Sequence, residues 1–424
     1  MSVLEITYMP SITSIRGRIV FNSRGSKTIE IDIVTDSKFM GRACAPSGAS
    51  VGKFEAQSFP ENKVEEALFT LNANINKFVG LHAENLQEVY DALRSIDKTD
   101  NYNKVGGSVA YALSIAAVES AAKALDVPLF ELLKPSKPYK FPLPLGNILG
   151  GGAHAGPGTP DLQEILVCPL GAKNIIDALE MNFKVHSETR KVIESIDKRF
   201  TYGKGDEGAW APNVNNDQAL EIVEKAVRNC GYTLGKDTAM GIDFASSSFW
   251  DEEKQLYDYA RQGVKRDTGQ QIEFANRVMR DYKLVYAEDP VHEGDFESMA
   301  VLNKNNPRTL VTGDDMLVTN AGKIREAAKY GACSGAILKV NQAGSLYEAI
   351  KFAEECKKNN IKIITSHRSG ESIDSHISHI AIATSSKMLK SGVLGGERVA
   401  KLNELVRLTE YGLVEMQDLT EYTR

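Results

Sequence analysis

Between residues 235 and 372, short apolar runs are repeatedly followed by a charged residue and then by a Gly, Pro or polar break. A stretch with helical periodicity follows each run, as in TNAGKIREAAKYGA. Strand-length runs that alternate with such helices predict parallel βαβ units. In a (β/α)8 barrel the carboxyl ends of the strands meet at one mouth, where we expect the charged residues to converge. The runs MGIDFASS, KLVYAEDP, TLVTGDDML, GAILKVNQ and KIITSHRSGE supply Asp243, Glu288, Asp314, Lys339 and His367.

The beginning of the chain has a different pattern. Residues 11–36 alternate between apolar and polar side chains and are rich in Ile, Val and Thr, which predicts strands. Helical periodicity then covers residues 63–79, 84–96 and 105–127. Residues 134–144 contain four prolines, a composition typical of a domain boundary. We therefore expect a small α+β domain at 1–133, a linker at 134–144 and an α/β barrel at 145–424.

Composition limits the classes of function. The chain has 424 residues, enough for one small domain and one barrel. Its 50 Lys and Arg against 56 Asp and Glu give a net charge of -6, without the basic footprint of a nucleic-acid-binding protein. No run approaches the roughly 20 apolar residues of a membrane span, and the amino terminus lacks the order of a signal peptide. Five widely spaced cysteines without a CxxC motif predict free thiols and a cytoplasmic location.

Asp243, Glu288 and Asp314 are the strongest candidates for chemistry. A single acid after a strand usually caps the next helix, and that alternative applies to each of them alone. Three acids in consecutive βα units, within the phrases GIDF, AEDP and GDDML, favour a shared role. Hard cations such as Mg²⁺ prefer carboxylate oxygens. The pattern therefore predicts a divalent-metal site, with Asp289 and Asp315 in supporting or structural roles.

Two lysines also follow strand-like runs. Lys339 comes after the small and apolar residues GAIL, so we expect its ammonium in the barrel mouth. A lysine whose pKa is shifted there is a competent base, and the alternative is a salt bridge to one of the acids. Lys390, in MLKSGVLGGER, is either a second cation at the mouth or a solvated surface lysine.

The segment SHRSGE at residues 366–371 places His367, Arg368 and Ser369 in one turn after a strand. A guanidinium beside hydroxyls and backbone amides suits a phosphate group. The alternative for Arg368 is a structural pair with a carboxylate.

Two Gly-rich stretches complete the candidates. Residues 146–164 are predicted to form a loop, either one that closes and brings His154 and Glu164 toward the mouth or a plain surface loop. The string GKGDEG at 203–208 matches GxGxxG, but no helix is predicted directly after it, so a dinucleotide site is not expected. Glu207 in that string is instead a candidate for acid chemistry.

Taken together, these phrases resemble the enolase family in family order over nearly the whole chain. The matching phrases are NSRG (22–25), PSGAS (46–50), HAG (154–156), LQE (162–164), GDEG (205–208), GIDFASSSF, AEDP, GDDMLVTN, LKVNQ, SHRSGE, KSG (390–392) and ER.AKLN (397–403). The set is specific, although any one phrase alone would only be suggestive. The resemblance implies an amino-terminal α+β domain and a TIM-like barrel with an antiparallel start.

The resemblance also implies a lyase activity, the Mg²⁺-dependent reversible dehydration of 2-phospho-D-glycerate to phosphoenolpyruvate in glycolysis and gluconeogenesis. Lys339 would remove the C2 proton, and Glu207 would help the 3-hydroxyl to leave. The implied catalytic set is Lys339, Glu207, Glu164, His154 and His367, and the implied substrate-binding set is Gln163, Arg368, Ser369 and Lys390. The implied ligands of two Mg²⁺ ions are Asp243, Glu288, Asp314 and Ser50. A homodimer or a dimer-based octamer is the implied assembly.

Several phrases depart from the usual family pattern. KSGVLGGER is about one residue shorter than the usual KTGAPAR.ER and lacks an arginine, and GDEGGFAP reads GDEGAWAP. Every implied metal ligand and proton-transfer residue is nevertheless in place. Three alternatives stay open. One is a different abstraction-and-elimination reaction on a related α-hydroxy or amino acid, and another is a paralogue that performs such a reaction on a related phospho- or phosphono-carboxylic acid. The third is a catalytically silent paralogue with a binding or structural role.

Overall fold

The computed structural model describes residues 8–48, 54–134 and 136–422. Within these ranges, the amino-terminal part is an antiparallel sheet of three strands followed by helices. The strands are β1 (Ile12–Phe21), β2 (Lys27–Thr35) and β3 (Phe39–Cys44), and the helices are α1 (Val64–Asn74), α2 (Leu86–Ile96), α3 (Gly107–Ala124) and α4 (Leu129–Leu133). The strands predicted from alternation and the first three helices predicted from periodicity are confirmed.

Helix α3 packs directly against this sheet. The apolar positions that alternate along β2 and are fully buried are Ile29, Ile31 and Ile33. At Gly41 of β3, an added Cβ would lie 2.0 Å from the carbonyl oxygen of Ala116, so the close approach requires glycine. Just after β3, Ser47 exchanges two backbone hydrogen bonds of 2.8 Å with Gly370. This pairing joins the amino-terminal part to the barrel segment that carries the SHRSGE phrase.

The proline-rich segment at 134–144 contains the short strand β4 (Tyr139–Phe141) and the first residues of β5 (Leu143–Gly150). Strand β4 pairs in parallel with a strand near the carboxyl terminus (Val414–Met416). The loop predicted for 146–164 is wrong over residues 146–150, which belong to β5 and are buried. Because its apolar side chains are buried, this stretch is more stable as a strand of the barrel wall than as an exposed loop.

Eight strands close into a barrel in the order β11-β12-β13-β14-β15-β5-β6-β7. After β5 the chain forms β6 (Glu164–Cys168), β7 (Ala239–Asp243), a small separate sheet of β8 (Trp250–Asp251), β9 (Leu256–Tyr259) and β10 (Val264–Arg266), and then β11 (Tyr286–Glu288), β12 (Leu310–Gly313), β13 (Gly335–Leu338), β14 (Lys362–Ser366) and β15 (Met388–Gly392). Strand β6 runs antiparallel to β5 and β7, and the other neighbours are parallel. The expected barrel with an antiparallel start is confirmed.

Helices connect the barrel strands and pack against them. They are α5 (Ile175–Ile196), α6 (Asn216–Asn229), α7 (Thr268–Asp281), α8 (Phe296–Asn305), α9 (Ala321–Tyr330), α10 (Val340–Ala343), α11 (Leu346–Lys358), α12 (His376–Ala383) and α13 (Gly396–Leu408). Across the described ranges, no helix combines the length and the apolar character needed to cross a membrane.

The two ends of the barrel interior differ in polarity. Buried apolar side chains fill the end where the parallel strands begin, and they include Leu143, Leu145, Leu166, Ile337, Ile364 and Met388. Charged residues lie at the opposite end, where Asp243 and Glu288 pair in register at the ends of β7 and β11. Because β6 is antiparallel, its first residue, Glu164, lies at this same end and pairs with Asp243. The topology therefore collects charge at one mouth of the barrel.

Candidate active site

The candidate site is a cavity of about 370 Å³ at this mouth. Most of the site residues predicted from the sequence line it, namely His154, Gln163, Glu164, Glu207, Asp243, Asp314, Lys339, His367, Arg368, Ser369 and Lys390. Glu288 is fully buried and contacts Lys390. Ser50, which we expect to reach a metal ion, lies outside the described residues. Segments far apart in the sequence thus meet around one cavity.

The three strand-end acids are not helix caps. Asp243 and Glu288 are the last residues of β7 and β11, and Asp314 directly follows β12. The helices α7, α8 and α9 are capped instead by Asp267, Asp295 and Asn320. The alternative interpretation of the acids as caps is therefore wrong. All three carboxylates have partners inside the barrel mouth.

Lys390 is the cation that lies between Glu164, Asp243 and Glu288. It is the third residue of β15 and is only 2% exposed, so the alternative of a solvated surface lysine is wrong. Its Nζ lies 3.0 Å from Asp243 Oδ2 and 3.1 Å from Glu164 Oε1, and it forms an ion pair with Glu288. Burial acts to lower the pKa of Lys390, but these carboxylates raise it well above its usual value. The ammonium therefore stays charged.

Three carboxylates surround the single ammonium of Lys390, and the pKa values of two of them are raised. Burial, followed by the charge of Asp243, raises the pKa of Glu288 to about 8. Burial, followed by the charge of Glu207, raises the pKa of Glu164 well above its usual value. Glu288 Oε1 and Glu164 Oε2 are buried without a hydrogen-bond partner among the described residues. Buried carboxylates with unused oxygen lone pairs fit a hard divalent cation.

Lys339 directly follows β13 and precedes α10. Its backbone N–H donates to Thr319 Oγ1 at 2.9 Å, and its ammonium forms an ion pair with Asp314. Asp314 Oδ1 also accepts a hydrogen bond of 2.9 Å from Gln342 Nε2. Burial acts to lower the pKa of Lys339, but Asp314 raises it above its usual value. The salt bridge considered as an alternative is therefore present, and Lys339 must lose this proton before it can act as a base.

Glu164 and Glu207 share His154 as a neighbour. His154 Nδ1 lies 3.5 Å from Glu164 Oε1 and 3.6 Å from Glu207 Oε1. Glu207 Oε2 accepts a hydrogen bond of 3.0 Å from Asn147 Nδ2 and lies 3.1 Å from His367 Nε2. Burial acts to raise the pKa of Glu207, but His367 and His154 lower it well below its usual range. Glu164 thus favours the protonated form and Glu207 the ionised form, a separation that suits acid–base chemistry.

The loop after β14 presents the predicted anion-binding groups. The Arg368 guanidinium is buried and donates to Glu55 Oε2 at 3.0 Å and to Asn341 Oδ1 at 3.1 Å. The Arg–carboxylate pair considered as an alternative is therefore present, and Glu55 comes from the amino-terminal part. Ser369 Oγ is buried without a hydrogen-bond partner in the described part of the chain. A buried hydroxyl beside a guanidinium can accommodate an incoming oxyanion.

Gln163, Asp289 and Asp315 lie beside the strand-end acids Asp243 and Asp314. Gln163 Nε2 donates to Asp243 Oδ2 at 3.2 Å. Asp289 accepts the backbone N–H groups of Asp314 and Asp315 at 3.0 and 2.9 Å, which fixes the turn that carries Asp314. Burial, followed by the charge of Asp314, raises the pKa of Asp315 to about 7.

The sequence does not identify several residues of the site. They are Glu55, which pairs with Arg368, Asn147, which donates to Glu207, Gln342, which donates to Asp314, and Arg398, which contacts His367. Gln342 and Arg398 lie inside the matched phrases LKVNQ and ER.AKLN, so those phrases carry a signal for them. Neither Glu55 nor Asn147 follows a predicted strand, and no spacing rule points to them.

Two protein-family models match the chain. The model "Enolase, N-terminal domain" matches residues 12–133, and "Enolase, C-terminal TIM barrel domain" matches residues 138–422. The chain is 42% identical to the enolase of Methanosphaera stadtmanae over 94% of its own length and 97% of that protein. The enolases of Methanothermobacter thermautotrophicus and Pyrobaculum aerophilum are 41% and 39% identical, over 94% and 93% of this chain and 96% and 95% of theirs.

Proposed function

Because the chain belongs to the enolase family, we propose that it catalyses the reversible dehydration of 2-phospho-D-glycerate to phosphoenolpyruvate, the lyase step of glycolysis and gluconeogenesis. One observation carries this proposal: Lys339, the Glu164–Glu207 pair and the acids around Lys390 meet at one cavity. Elimination of water next to a carboxylate needs a base, an acid and stabilisation of the enolate charge. The cavity offers residues suited to each of these tasks.

The reaction breaks the C2–H and C3–O bonds and forms the C2=C3 double bond. We assign the C2 proton to Lys339, once this lysine has left its ion pair with Asp314 and lost its present proton. Glu207 is ionised in the resting site and takes a proton from Glu164, its neighbour across His154. It is then the acid that protonates the departing 3-hydroxyl, which leaves as water. Glu164, whose pKa is raised, keeps a proton at this end of the cavity and supports Glu207. His154 lies within 3.6 Å of both carboxyls and orients them.

Substrate binding is assigned to the remaining polar groups of the cavity. Arg368 and the hydroxyl of Ser369, which has no hydrogen-bond partner among the described residues, would hold the phosphate. Gln163, His367 and Lys390 would line the rest of the substrate, with Lys390 supplying positive charge near its carboxylate. Cationic and hydroxyl donors of this kind recognise phosphate and carboxylate oxygens.

The cation site is assigned to Asp243, Glu288 and Asp314, with Ser50 as a ligand of a second ion, so that two Mg²⁺ ions serve each site. Support comes from an all-oxygen donor set and from Glu288 Oε1, which has no hydrogen-bond partner in the described part of the chain. When bound, Mg²⁺ supplies the positive charge that stabilises the enolate formed after C2 loses its proton. Removal of the metal is therefore expected to stop turnover.

Assembly and location follow from the family resemblance. We expect a homodimer or a dimer-based octamer in the cytoplasm that acts on a small-molecule substrate. Light scattering coupled to gel filtration measures the assembly, and a monomeric mass would contradict this expectation.

The direct test of the activity is ultraviolet detection of phosphoenolpyruvate formed from 2-phosphoglycerate, with Mg²⁺ and again with chelator. We expect Mg²⁺-dependent turnover on the order of tens per second. Phosphono and other phospho-acid analogues are assayed in parallel, with Lys339→Ala as the control. Turnover on an analogue but not on 2-phosphoglycerate would replace the proposed substrate. No turnover on any of them, from folded protein that binds Mg²⁺, would favour a silent paralogue.

A further inference from the structure

Arg398 is a fully buried cation that reaches the edge of the active site from helix α13. Its Nη1 donates to His367 Nδ1 at 2.9 Å and to the carbonyl oxygen of Arg368. Its Nη2 donates to the carbonyl oxygens of Ser369 at 2.6 Å and Asp206 at 3.1 Å. One guanidinium therefore connects the loop after β14 with the loop that carries Glu207.

The contact between Arg398 and His367 determines where the imidazole proton lies. A guanidinium has five N–H donors and no acceptor, so His367 Nδ1 must accept the hydrogen bond. The backbone N–H of Gly392 also points to Nδ1, at 3.4 Å. With two donors directed at Nδ1, the neutral ring carries its proton on Nε2. This Nε2 is the nitrogen that lies 3.1 Å from Glu207 Oε2.

The tautomer of His367 decides how Glu207 is presented to the cavity. Oε2 of Glu207 then accepts a hydrogen bond from Asn147 Nδ2 at 3.0 Å. The Nε2–H of His367 lies 3.1 Å from the same oxygen and attracts it by charge, although the angle is not that of a hydrogen bond. Oε1 is the oxygen near His154 and is left for the substrate side. The other tautomer would place a ring lone pair against Oε2, and two acceptors 3.1 Å apart would repel. Glu207 would then have to rotate or take up a proton.

The turn before α13 brings these groups into contact. An added Cβ at Gly392 would lie 2.0 Å from the carbonyl oxygen of Glu207, and one at Gly208 would lie 2.2 Å from that of Leu394. Gly208 also has a positive φ of 79°. The segment that is shorter than the usual family pattern thus lies backbone against backbone with the Glu207 loop, and Arg398 follows within one turn of helix.

We propose that Arg398 is a positioning residue that fixes His367 as the Nε2–H tautomer and thereby holds Glu207 with Oε1 toward the substrate. The consequence for turnover rests on the proposed function, whereas the tautomer itself does not. Arg398 touches no reacting atom and acts through His367. Its loss should therefore affect the departure of the 3-hydroxyl more than the binding of substrate.

The charges around these groups agree with the proposal. The charged groups that face His367 are Glu207, Arg398 and Glu371. Burial, opposed by Glu207 and reinforced by Arg398, lowers the pKa of His367 to about 4. The ring is therefore neutral at pH 7, as the donation from Arg398 requires. Glu207 in turn faces His154 as well as His367 and Arg398.

The tautomer is measured directly on the wild-type protein by ¹⁵N NMR with selectively labelled histidine. The chain has seven histidines, and His367→Asn identifies the resonances of His367 by their loss. We expect a neutral ring with its proton on Nε2 at pH 7 and still at pH 5.5. An imidazolium, or a proton on Nδ1, would overturn the proposal without any need for an Arg398 variant to fold.

Two substitutions of Arg398 distinguish a role in positioning Glu207 from a role in the stability of the protein alone. Arg398→Met keeps the apolar stem and removes every donor, so we expect the tautomer preference to be lost. We also expect kcat to fall on the order of 10- to 100-fold with KM nearly unchanged. Arg398→Lys keeps one charged donor group and should partly restore both the tautomer preference and kcat. Exchange of the C2 hydrogen should decrease less than dehydration, because Lys339 is not a partner of Arg398.

Lys401→Met is the matched control. Lys401 lies one helical turn after Arg398, is equally buried and donates to the carbonyl oxygens of Ser372 and Asp374. It forms an ion pair with Glu371 at 3.1 Å, and within the described residues it makes no hydrogen bond or ion pair with His367. We expect this variant to lower the unfolding midpoint and to leave the tautomer as in wild type. If both variants kept the tautomer and lost activity alike, Arg398 would be structural only and the proposal would be wrong. A wild-type protein with the expected tautomer but no turnover would refute the proposed function and not the tautomer assignment.

Discussion

Replacing Lys390 by Met tests whether this lysine neutralises the acids of the barrel mouth. The side chain is 2% exposed and lies between Glu164, Asp243 and Glu288. Removal of one partner from a buried ion pair costs about 3–5 kcal/mol because the remaining charge is left uncompensated. Glu288, with a pKa of about 8, and Glu164, with a raised pKa, can instead take up protons. We therefore expect the lower end of that range, about 3 kcal/mol at pH 7.5.

The sign of the pH dependence follows from the same groups. Without Lys390 the carboxyl pKa values rise further, so the folded state holds protons that the unfolded state has already released. The destabilisation should then grow as pH rises from 5 to 8 and shrink toward pH 5. Glu164 and Glu288 contribute in this direction, since both contact Lys390 and have raised pKa values in the folded wild-type chain.

Urea unfolding of metal-free protein, followed by circular dichroism at pH 5.5 and 8, measures this difference. With an m value of about 3 kcal/mol per M, the midpoint should fall by about 1 M at the higher pH. Lys387→Met is the control, because Lys387 precedes the same strand and its ammonium makes long contacts, 3.5 Å to Gln417 Oε1 and 3.9 Å to Glu421 Oε1. Its effect should stay within about 0.5 kcal/mol. Equal midpoints for the two variants, or a loss of stability independent of pH, would show that Lys390 does not neutralise these acids.

Three further variants test other parts of the account. Glu207→Gln should slow dehydration on the order of 10²- to 10⁴-fold while C2 hydrogen exchange stays measurable, because it removes the acid and not the base; loss of both activities would contradict this division. His376 lies 3.5 Å from Glu119 and 3.7 Å from Asp374, and although burial acts to lower its pKa, these carboxylates raise it. Its contribution to stability is therefore complete below its unfolded pKa and is lost as pH rises through the folded pKa, so His376→Gln should destabilise more at pH 6 than at pH 9 in urea unfolding. Gly392→Ala would place a Cβ 2.0 Å from the carbonyl oxygen of Glu207 and should cost about 1–3 kcal/mol together with activity.

Matched controls exist for two of these variants. His379→Gln, at a histidine of the same helix that lies 3.1 Å from Glu404, is measured at the same two pH values as the control. Gly396→Ala changes a glycine of the same turn whose added Cβ meets nothing within 4 Å, and it should be neutral or slightly stabilising. Equal effects at Gly392 and Gly396 would contradict the close approach to Glu207.

The strand-end residues could be predicted from the sequence because one local rule covers them. A parallel strand in a barrel ends at the mouth, so a charged residue after an apolar run belongs there. Asp243, Glu288, Asp314, Lys339 and His367 all follow this rule, and the structure places each of them at that end.

The remaining residues depend on geometry that no local pattern encodes. Glu164 begins an antiparallel strand, so the rule for parallel strands does not place it at the mouth. Glu55 reaches Arg368 only because the amino-terminal part packs onto the barrel. Arg398 depends on a close approach of two backbones at Gly392. The prediction of a loop over 146–150 fails because glycines interrupt the short apolar run that the structure places in β5.

We assign to Lys339 the removal of the C2 proton in the barrel mouth. The most direct test is exchange of the C2 hydrogen of 2-phosphoglycerate with D₂O, followed by NMR in the presence of Mg²⁺. Wild type should introduce deuterium at C2, whereas Lys339→Ala should bind substrate in a Mg²⁺-dependent manner and introduce none. Exchange by Lys339→Ala at the wild-type rate would contradict the assignment of Lys339 as the base.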